Sequence, residues 1–148
     1  MENSLSFFRE QFKANGINLQ EKLEAGLPQI KTDLHKFEQI MVNFLSNARY
    51  AVSKKAEQDS NYSPQVWVRL FQNSTKQVVV EVADNGTGMT SEVKARCLEP
   101  FFTTKEVGKG TGLGLSIAHG IARELGMKLE IDSEPGRGAV FRLLVLVF

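Results

Sequence analysis

Residues 77–89 read QVVVEVADNGTGM. The run from Gln77 to Ala83 is rich in β-branched residues and predicts a strand. Asp84 then stands at the strand end, and Gly86 and Gly88 follow at alternate positions, where the backbone can turn sharply and approach a flat ligand. A carboxylate placed there can accept a hydrogen bond from an exocyclic amine, which adenine offers and guanine presents differently. An ordinary Asp-Asn-Gly turn would use the same residues, so other parts of the chain must decide.

Working upstream, Gln65 to Phe71 is strand-like and Asn73-Ser74 is a turn, so Gln65 to Ala83 predicts a β-hairpin. Before it, Thr32 or Asp33 can cap a long helix ending near Gln58, ahead of the turn-rich DSNYSP. Phe37, Ile40, Met41, Phe44, Leu45, Ala48 and Val52 make one apolar stripe along that helix. Asn43 and Asn47 lie four residues apart on another face, which Tyr50, Ala51 and Lys54 continue. Asparagine is a poor helix former, and its carboxamide oxygen is a hard neutral ligand suited to Mg²⁺. Alternatively, both asparagines cap or bridge buried neighbours. At the amino end, Ser4 to Ala14 predicts a short helix carrying Leu5, Phe8 and Phe12, and Ile17 to Glu24 a strand with Ile17, Leu19 and Leu23 on alternate positions.

Downstream, a short helix is predicted over Ser91 to Cys97, then an irregular stretch from Glu99 to Gly112. Within it lies Glu99-Pro100-Phe101-Phe102-Thr103-Thr104-Lys105, whose aromatic pair can anchor a lid while the threonines and Lys105 address phosphate oxygens. A buried Phe pair beside a solvated lysine is the plainer alternative. Gly108-Lys109-Gly110-Thr111-Gly112-Leu113-Gly114-Leu115-Ser116 opens a helix running to Leu125, with Gly126 suited to its αL cap. Free N–H groups at that helix start make an anion site. The spacing is not that of a Walker A loop, and the glycines fall as GxGxG after a non-strand, so it is not a dinucleotide fingerprint either. Strands at Lys128 to Asp132 and Val140 to Val147, joined by a turn at Pro135 to Gly138, complete an α+β arrangement of two layers: helices covering one face of a mixed, mostly antiparallel sheet.

Composition narrows the function. The 148 residues are 42% hydrophobic and 24% charged, which suits one domain with a packed core. Lys plus Arg number 18 against 17 Asp plus Glu, so neither a nucleic-acid binder's basic excess nor a polybasic membrane-surface segment is present. With one cysteine, Cys97, and two histidines, His35 and His119, no Cys/His zinc site can be assembled. The longest apolar run, Leu143 to Phe148, is too short to span a bilayer, and the first residues lack a signal-peptide pattern. With the lone cysteine, this leads to the expectation of a cytoplasmic setting, whether or not a parent protein is membrane-anchored.

Taken together and in this order, the motifs resemble the ATP-binding superfamily shared by gyrase, chaperone and mismatch-repair ATPases and sensor histidine kinases, known as GHKL or Bergerat-fold proteins. The similarity is greatest to the catalytic, ATP-binding domain of bacterial two-component histidine kinases. NFLSNARYA resembles their N box, DNGTGM the first glycine box, EPFFTTK the F box, GKGTGLGLSIAHGI the second glycine box and PGRGAVF the final glycine motif. The resemblance implies a two-layer α/β sandwich, with ATP and Mg²⁺ bound. It implies that Asn47 holds Mg²⁺, that Asn43 and Lys105 act at the phosphates, and that Asp84 holds the adenine amine in a pocket shaped by Gly86, Gly88 and Met89. Ala51 and Lys54 join that nucleotide-binding set, and Thr103, Thr104, Lys105, Gly110, Thr111, Gly112, Leu113, Gly114 and Leu115 form the lid over the triphosphate. Ala139 stands where many members have Thr, and Tyr50 where some kinases have a basic residue.

Hydrolysing members carry glutamate at the position of Asn43, as the base that activates water. Asparagine cannot remove a proton, whereas a neutral imidazole already offers a lone pair near pH 7. Asn43 therefore points to transfer onto histidine. Neither His35-Lys36-Phe37 nor His119-Gly120-Ile121 resembles an acceptor motif. The expectation is a domain of a longer kinase, whose partners are a separate histidine-bearing dimerisation domain and, downstream, a response regulator. The alternatives are a stand-alone serine kinase that binds a sigma factor, and a nucleotide-binding interaction module without catalysis.

Overall fold

Helix α2 (Leu34–Gln58) organises the domain. It starts where the Asp33 side chain accepts the Lys36 N–H at 3.1 Å, which satisfies one of the orphan donors of the first turn. Ile40, Met41, Phe44, Leu45, Ala48 and Val52 are all fully buried along one side, the stripe that their spacing predicts. The computed structural model describes residues 2–100, 102 and 114–146.

The remaining elements are α1 (Glu2–Ala14), β1 (Asn18–Leu23), β2 (Gln65–Gln72), β3 (Val78–Asp84), α3 (Ser91–Arg96), α4 (Gly114–Glu124), β4 (Lys128–Glu134) and β5 (Gly138–Val145). The five strands form one sheet in the order β1-β2-β3-β5-β4. β1 runs parallel to β2, with α2 as the crossover between them, and every other neighbouring pair is antiparallel. The predicted α+β class, with a mixed and mostly antiparallel sheet, is the one observed.

The core lies between helices and sheet. Leu5, Phe8 and Phe12 of α1 join the α2 stripe against Val66 and Val68 of β2, Val80 and Val82 of β3, and Phe141 and Leu143 of β5. Phe44 stacks on Phe141, with ring centroids 5.4 Å apart. Ala118 and Ala122 give α4 a small-residue side, also buried in this core. The Lys36 ammonium of α2 pairs with Glu124 at the far end of α4, so the two helices run antiparallel.

Two predicted strands differ in detail. Ile17 is buried but precedes β1, and Leu23 is exposed. β1 is an edge strand, and its tie to the helical layer is Arg9 holding Glu21 at 2.6 and 2.7 Å, besides the half-buried Leu19. The terminal hairpin is tighter than its sequence suggests. β4 continues to Glu134 and β5 begins at Gly138, because Gly136 and Gly138 adopt positive φ and leave three residues to make the turn.

On the sheet face away from the helices, Glu81 is 2% exposed. Arg69 of β2 and Arg142 of β5 donate to its two oxygens at 2.7 and 2.8 Å, and Arg142 also donates to Asp132 of β4. An acidic residue within a run of valines is thus neutralised from both adjacent strands, as a buried charge requires.

The ring of Phe44 has no exposed surface, so Phe44→Ala is expected to cost about 3–5 kcal/mol. Urea unfolding followed by circular dichroism would show this as a lower midpoint at unchanged slope.

Candidate functional site

The site grows from the carboxyl end of β3. Asp84 pairs across the sheet with Ala139 and is 5% exposed. Its Oδ1 accepts the Gly86 N–H at 2.8 Å. Its Oδ2 is buried and accepts no hydrogen bond among the described residues. Burial pushes the carboxyl up to about 6, against the opposing pull of the Gly86 and Ala139 N–H groups and the Lys55 ammonium. A shielded oxygen without a donor is an unfavourable arrangement for the protein alone and suits a ligand that brings the donor.

The glycines hold Asp84 there by allowing chains to touch. A Cβ on Gly86 would stand 2.6–2.8 Å from backbone and side-chain atoms of Ala51, so this loop lies flat on α2. A Cβ on Gly138 would come within 1.9 Å of the Asp84 carbonyl oxygen, and one on Gly88 equally close to that of Glu134. The first glycine loop and the closing turn therefore interlock. Gly136 N–H donates to the Thr87 carbonyl at 2.7 Å, and Met89 N–H to Ser133 Oγ at 2.8 Å. Met89 is half-buried against the core.

Asn85 anchors the same loop outward. Its Oδ1 accepts the Tyr62 hydroxyl at 2.6 Å and the Gln65 N–H at 2.9 Å, while Nδ2 donates to the Ser63 carbonyl. Lys55, in the last turn of α2, donates to the Gly136 carbonyl at 2.9 Å and lies 3.4 Å from that of Asn85.

At the other end of the same helix, Asn43 faces the first residue of α4. A Cβ on Gly114 would be in ordinary contact, 3.6 Å, with Asn43 Oδ1. Asn43, Asn47, Ala51 and Lys55 follow at four-residue steps, so one line along α2 runs from the α4 N-terminus to the Asp84 loop. From 43 to 51 it spans about 12 Å along the helix axis. The structure thus brings Asn43 and Gly114 together at one end of this line and Ala51, Gly86 and Asp84 at the other, with Asn47 between, while Gly88 and Met89 lie against the closing turn. Lys54 pairs with Glu57 at 3.8 Å, and Leu115 is half-buried against the core. Thr103, Thr104, Lys105, Gly110, Thr111, Gly112 and Leu113 lie outside the described residues.

Sequence reading passed over Lys55, Asn85, Tyr62 and Ser133. Lys55 had a signal, because stepping by four from Ala51 reaches it as readily as stepping by three reaches Lys54. Tyr62 and Ser133 carry none, since their partners come from distant segments. Among the described residues no three His, Cys, Asp or Glu side chains gather as a metal cluster. The hard oxygen donors that the described part of this line offers include the carboxamides of Asn43 and Asn47.

Comparison with known proteins agrees with this geometry. The profile of the histidine kinase-, DNA gyrase B- and HSP90-like ATPases matches residues 32–147. The sensor kinase CckA of Brucella abortus (strain 2308) is 39% identical over 138 residues, covering 88% of this chain and 15% of the relative. The C4-dicarboxylate transport sensor protein DctB of Pseudomonas aeruginosa is 33% identical over 99% of this chain and 23% of its own length. The chain therefore spans less than a quarter of either relative. Among solved structures, full-length ShkA in complex with AMPPNP superposes with a TM-score of 0.80 at 25% identity, over 97% of this chain and 28% of that one. The catalytic domain of histidine kinase ThkA superposes with a TM-score of 0.78 at 25% identity, over 97% of this chain and 88% of that one. The resemblance read from the glycine and asparagine motifs holds: the chain is a histidine kinase-type ATPase domain homologous to sensor kinases, and it belongs to the histidine kinase-, DNA gyrase B- and HSP90-like ATPase family.

Proposed function

We propose that this domain binds ATP with Mg²⁺ and passes the γ-phosphoryl group to a histidine on a separate dimerisation domain, with a response regulator downstream, in a cytoplasmic setting. The observation that carries the reading is the line along α2. It has a donor-less buried carboxylate oxygen beside one end and the N-terminus of an 11-residue helix at the other.

Asp84 takes the exocyclic amine of adenine, and Gly86, resting on Ala51, and Gly88, against Glu134, let the loop pack closely enough to fix that carboxylate. At the far end the N-terminus of α4, with its helix dipole, suits phosphate oxygens, and Asn43 lies beside it as a neutral amide. The family resemblance adds Lys54, Thr103, Thr104, Lys105 and the segment Gly110 to Leu115 on the triphosphate. The donor set fits a metal carried in by the nucleotide: one carboxamide, Asn47, in place of an acidic cluster, with phosphates supplying most oxygens. Bound there, Mg²⁺ supplies neutralisation of phosphate charge. Catalysis by this chain is alignment and charge stabilisation around a loose transition state, for which no base is needed. The carboxamide of Asn43 can orient a phosphate or an attacking group and cannot deprotonate water.

Two measurements test these roles. Asp84→Asn is expected to weaken adenosine binding about tenfold, as the loss of a charge-assisted hydrogen bond would. It should also raise the melting temperature of the nucleotide-free domain. The folded carboxyl titrates at about 6, above its ordinary value of 3.8, so the native state holds the extra proton between those two values. Stability from this group is present at low pH, falls as pH rises through that window, and is lower by on the order of 2–3 kcal/mol at neutral pH. Adenosine prefers the ionised form, so its affinity should rise with pH through about 6. Calorimetry from acid to neutral pH checks both signs, and a flat profile counts against the assignment.

For the reaction, the domain mixed with γ-labelled ATP, Mg²⁺ and a separately produced sensor-kinase dimerisation domain is expected to yield an acid-labile label on that partner's histidine. The domain alone should remain unlabelled, and Asn47→Ala should abolish the Mg²⁺ dependence of ATP affinity. Self-labelling at His35 or His119 would overturn the transfer scheme.

A further inference from the structure

Lys55 is the residue of α2 whose contacts are least explained by helix packing. It sits half-buried in the last turn, its ammonium group turned toward the seam between the first glycine loop and the closing turn. Nζ donates to the Gly136 carbonyl at 2.9 Å and is 3.4 Å from the Asn85 carbonyl, and it lies 4.9 Å from the centre of the Tyr62 ring. Tyr62 in turn donates to Asn85 Oδ1. One cation thus touches three separate segments: the loop carrying Asp84, the turn ending at Gly138, and the chain leading into β2. The two carbonyl contacts do not extend the hydrophobic core: one is to the residue that follows Asp84 and the other to the turn that ends at Gly138.

We infer that Lys55 is a positioning residue of the nucleobase pocket: its ammonium group straps the Asn85 carbonyl to the Gly136 carbonyl and so holds in place the loop that follows Asp84. The inference rests on the assignment of Asp84 to the adenine amine. A strap of this kind has two separable effects. As a hydrogen-bond donor it fixes the distance between two loops that meet through glycines and so have no side chains there to interdigitate. As a cation beside a buried carboxylate it favours the form that accepts a hydrogen bond. Among the described residues, the ionisable groups coupled to Asp84 are Lys55 from α2 and Tyr62 from the segment before β2. Burial, and then Asp84 itself, push Tyr62 up to about 12, so its phenol stays neutral wherever Asp84 titrates. The remaining contacts come from the uncharged N–H groups of Gly86 in the loop and Ala139 in β5. Lys55 is therefore the group whose removal moves the titration of Asp84.

The test is adenosine affinity measured by calorimetry across pH, using the whole chain as wild type, Lys55→Met, Lys55→Arg and Asp84→Asn, with each variant's melting recorded. Adenosine carries no phosphate, so its binding does not report on the other end of the site. The expected result for Lys55→Met is a rise in the pH midpoint of affinity, so that binding is weakened severalfold around the wild-type midpoint and, once Asp84 is fully ionised, keeps only the smaller loss from the missing strap. Lys55→Arg, which keeps charge and donors, should keep the wild-type midpoint; it also serves as the comparison if the methionine variant melts early. No loss in Lys55→Met, or a loss at every pH that Lys55→Arg shares, with Asp84→Asn still defective, overturns the role of Lys55 and leaves the adenine assignment standing. If Asp84→Asn binds adenosine as wild type does, the adenine assignment fails, and the inference with it.

Discussion

Everything at the site depends on two places where backbones meet with no room for a side chain. Gly138 lies against the Asp84 carbonyl, and Gly86 against Ala51. These approaches press the end of β3, the closing turn and α2 into one seam, and the seam shuts water away from Asp84. The raised titration of that carboxyl follows directly, because its environment lacks the solvent that would stabilise charge. In the proposed role, binding capacity and instability have one origin: the oxygen assigned to the amine is the one left without a partner among the described residues. Functional positions elsewhere show the same opposition between activity and stability.

The buried charge on the other side of the sheet has the opposite character. Glu81 is as inaccessible as Asp84, yet Arg69 and Arg142 occupy both of its oxygens. Two acidic side chains three residues apart on one strand alternate in face. The outer one is fully compensated and helps to hold three strands in register. The inner one has an oxygen without a hydrogen-bond partner among the described residues, and that difference is what the proposed binding role rests on.

Much of this was readable in advance where the determining interactions are local. The Asp33 cap and the α2 stripe declare the long helix, and Asn73, whose Oδ1 accepts three donors within four residues, declares the β2–β3 turn. The asparagine pair stands out because asparagine is a poor helix former, and Asp84 because a carboxylate closes a strand just before two glycines. What stayed hidden depends on distance along the chain. The parallel pairing of β1 with β2, the placing of β5 between β3 and β4, and the neutralisation of Glu81 all require strands to be aligned first. Lys55 was overlooked for the same reason: its value lies in carbonyls 30 and 81 residues away, and nothing in its neighbours distinguishes it from Lys54.

That both ends of the pocket hang from a single continuous helix makes α2 a ruler whose graduations cannot be altered. Inserting one residue between Asn47 and Ala51 would turn everything beyond it by about 100° and swing the lysine and the glycine seat off the side that carries the asparagines. A change of length between positions 43 and 55 would therefore break this alignment, whereas one after Gln58 or before Asp33 would leave it intact. Two distant loops are thus kept in step by the pitch of one helix.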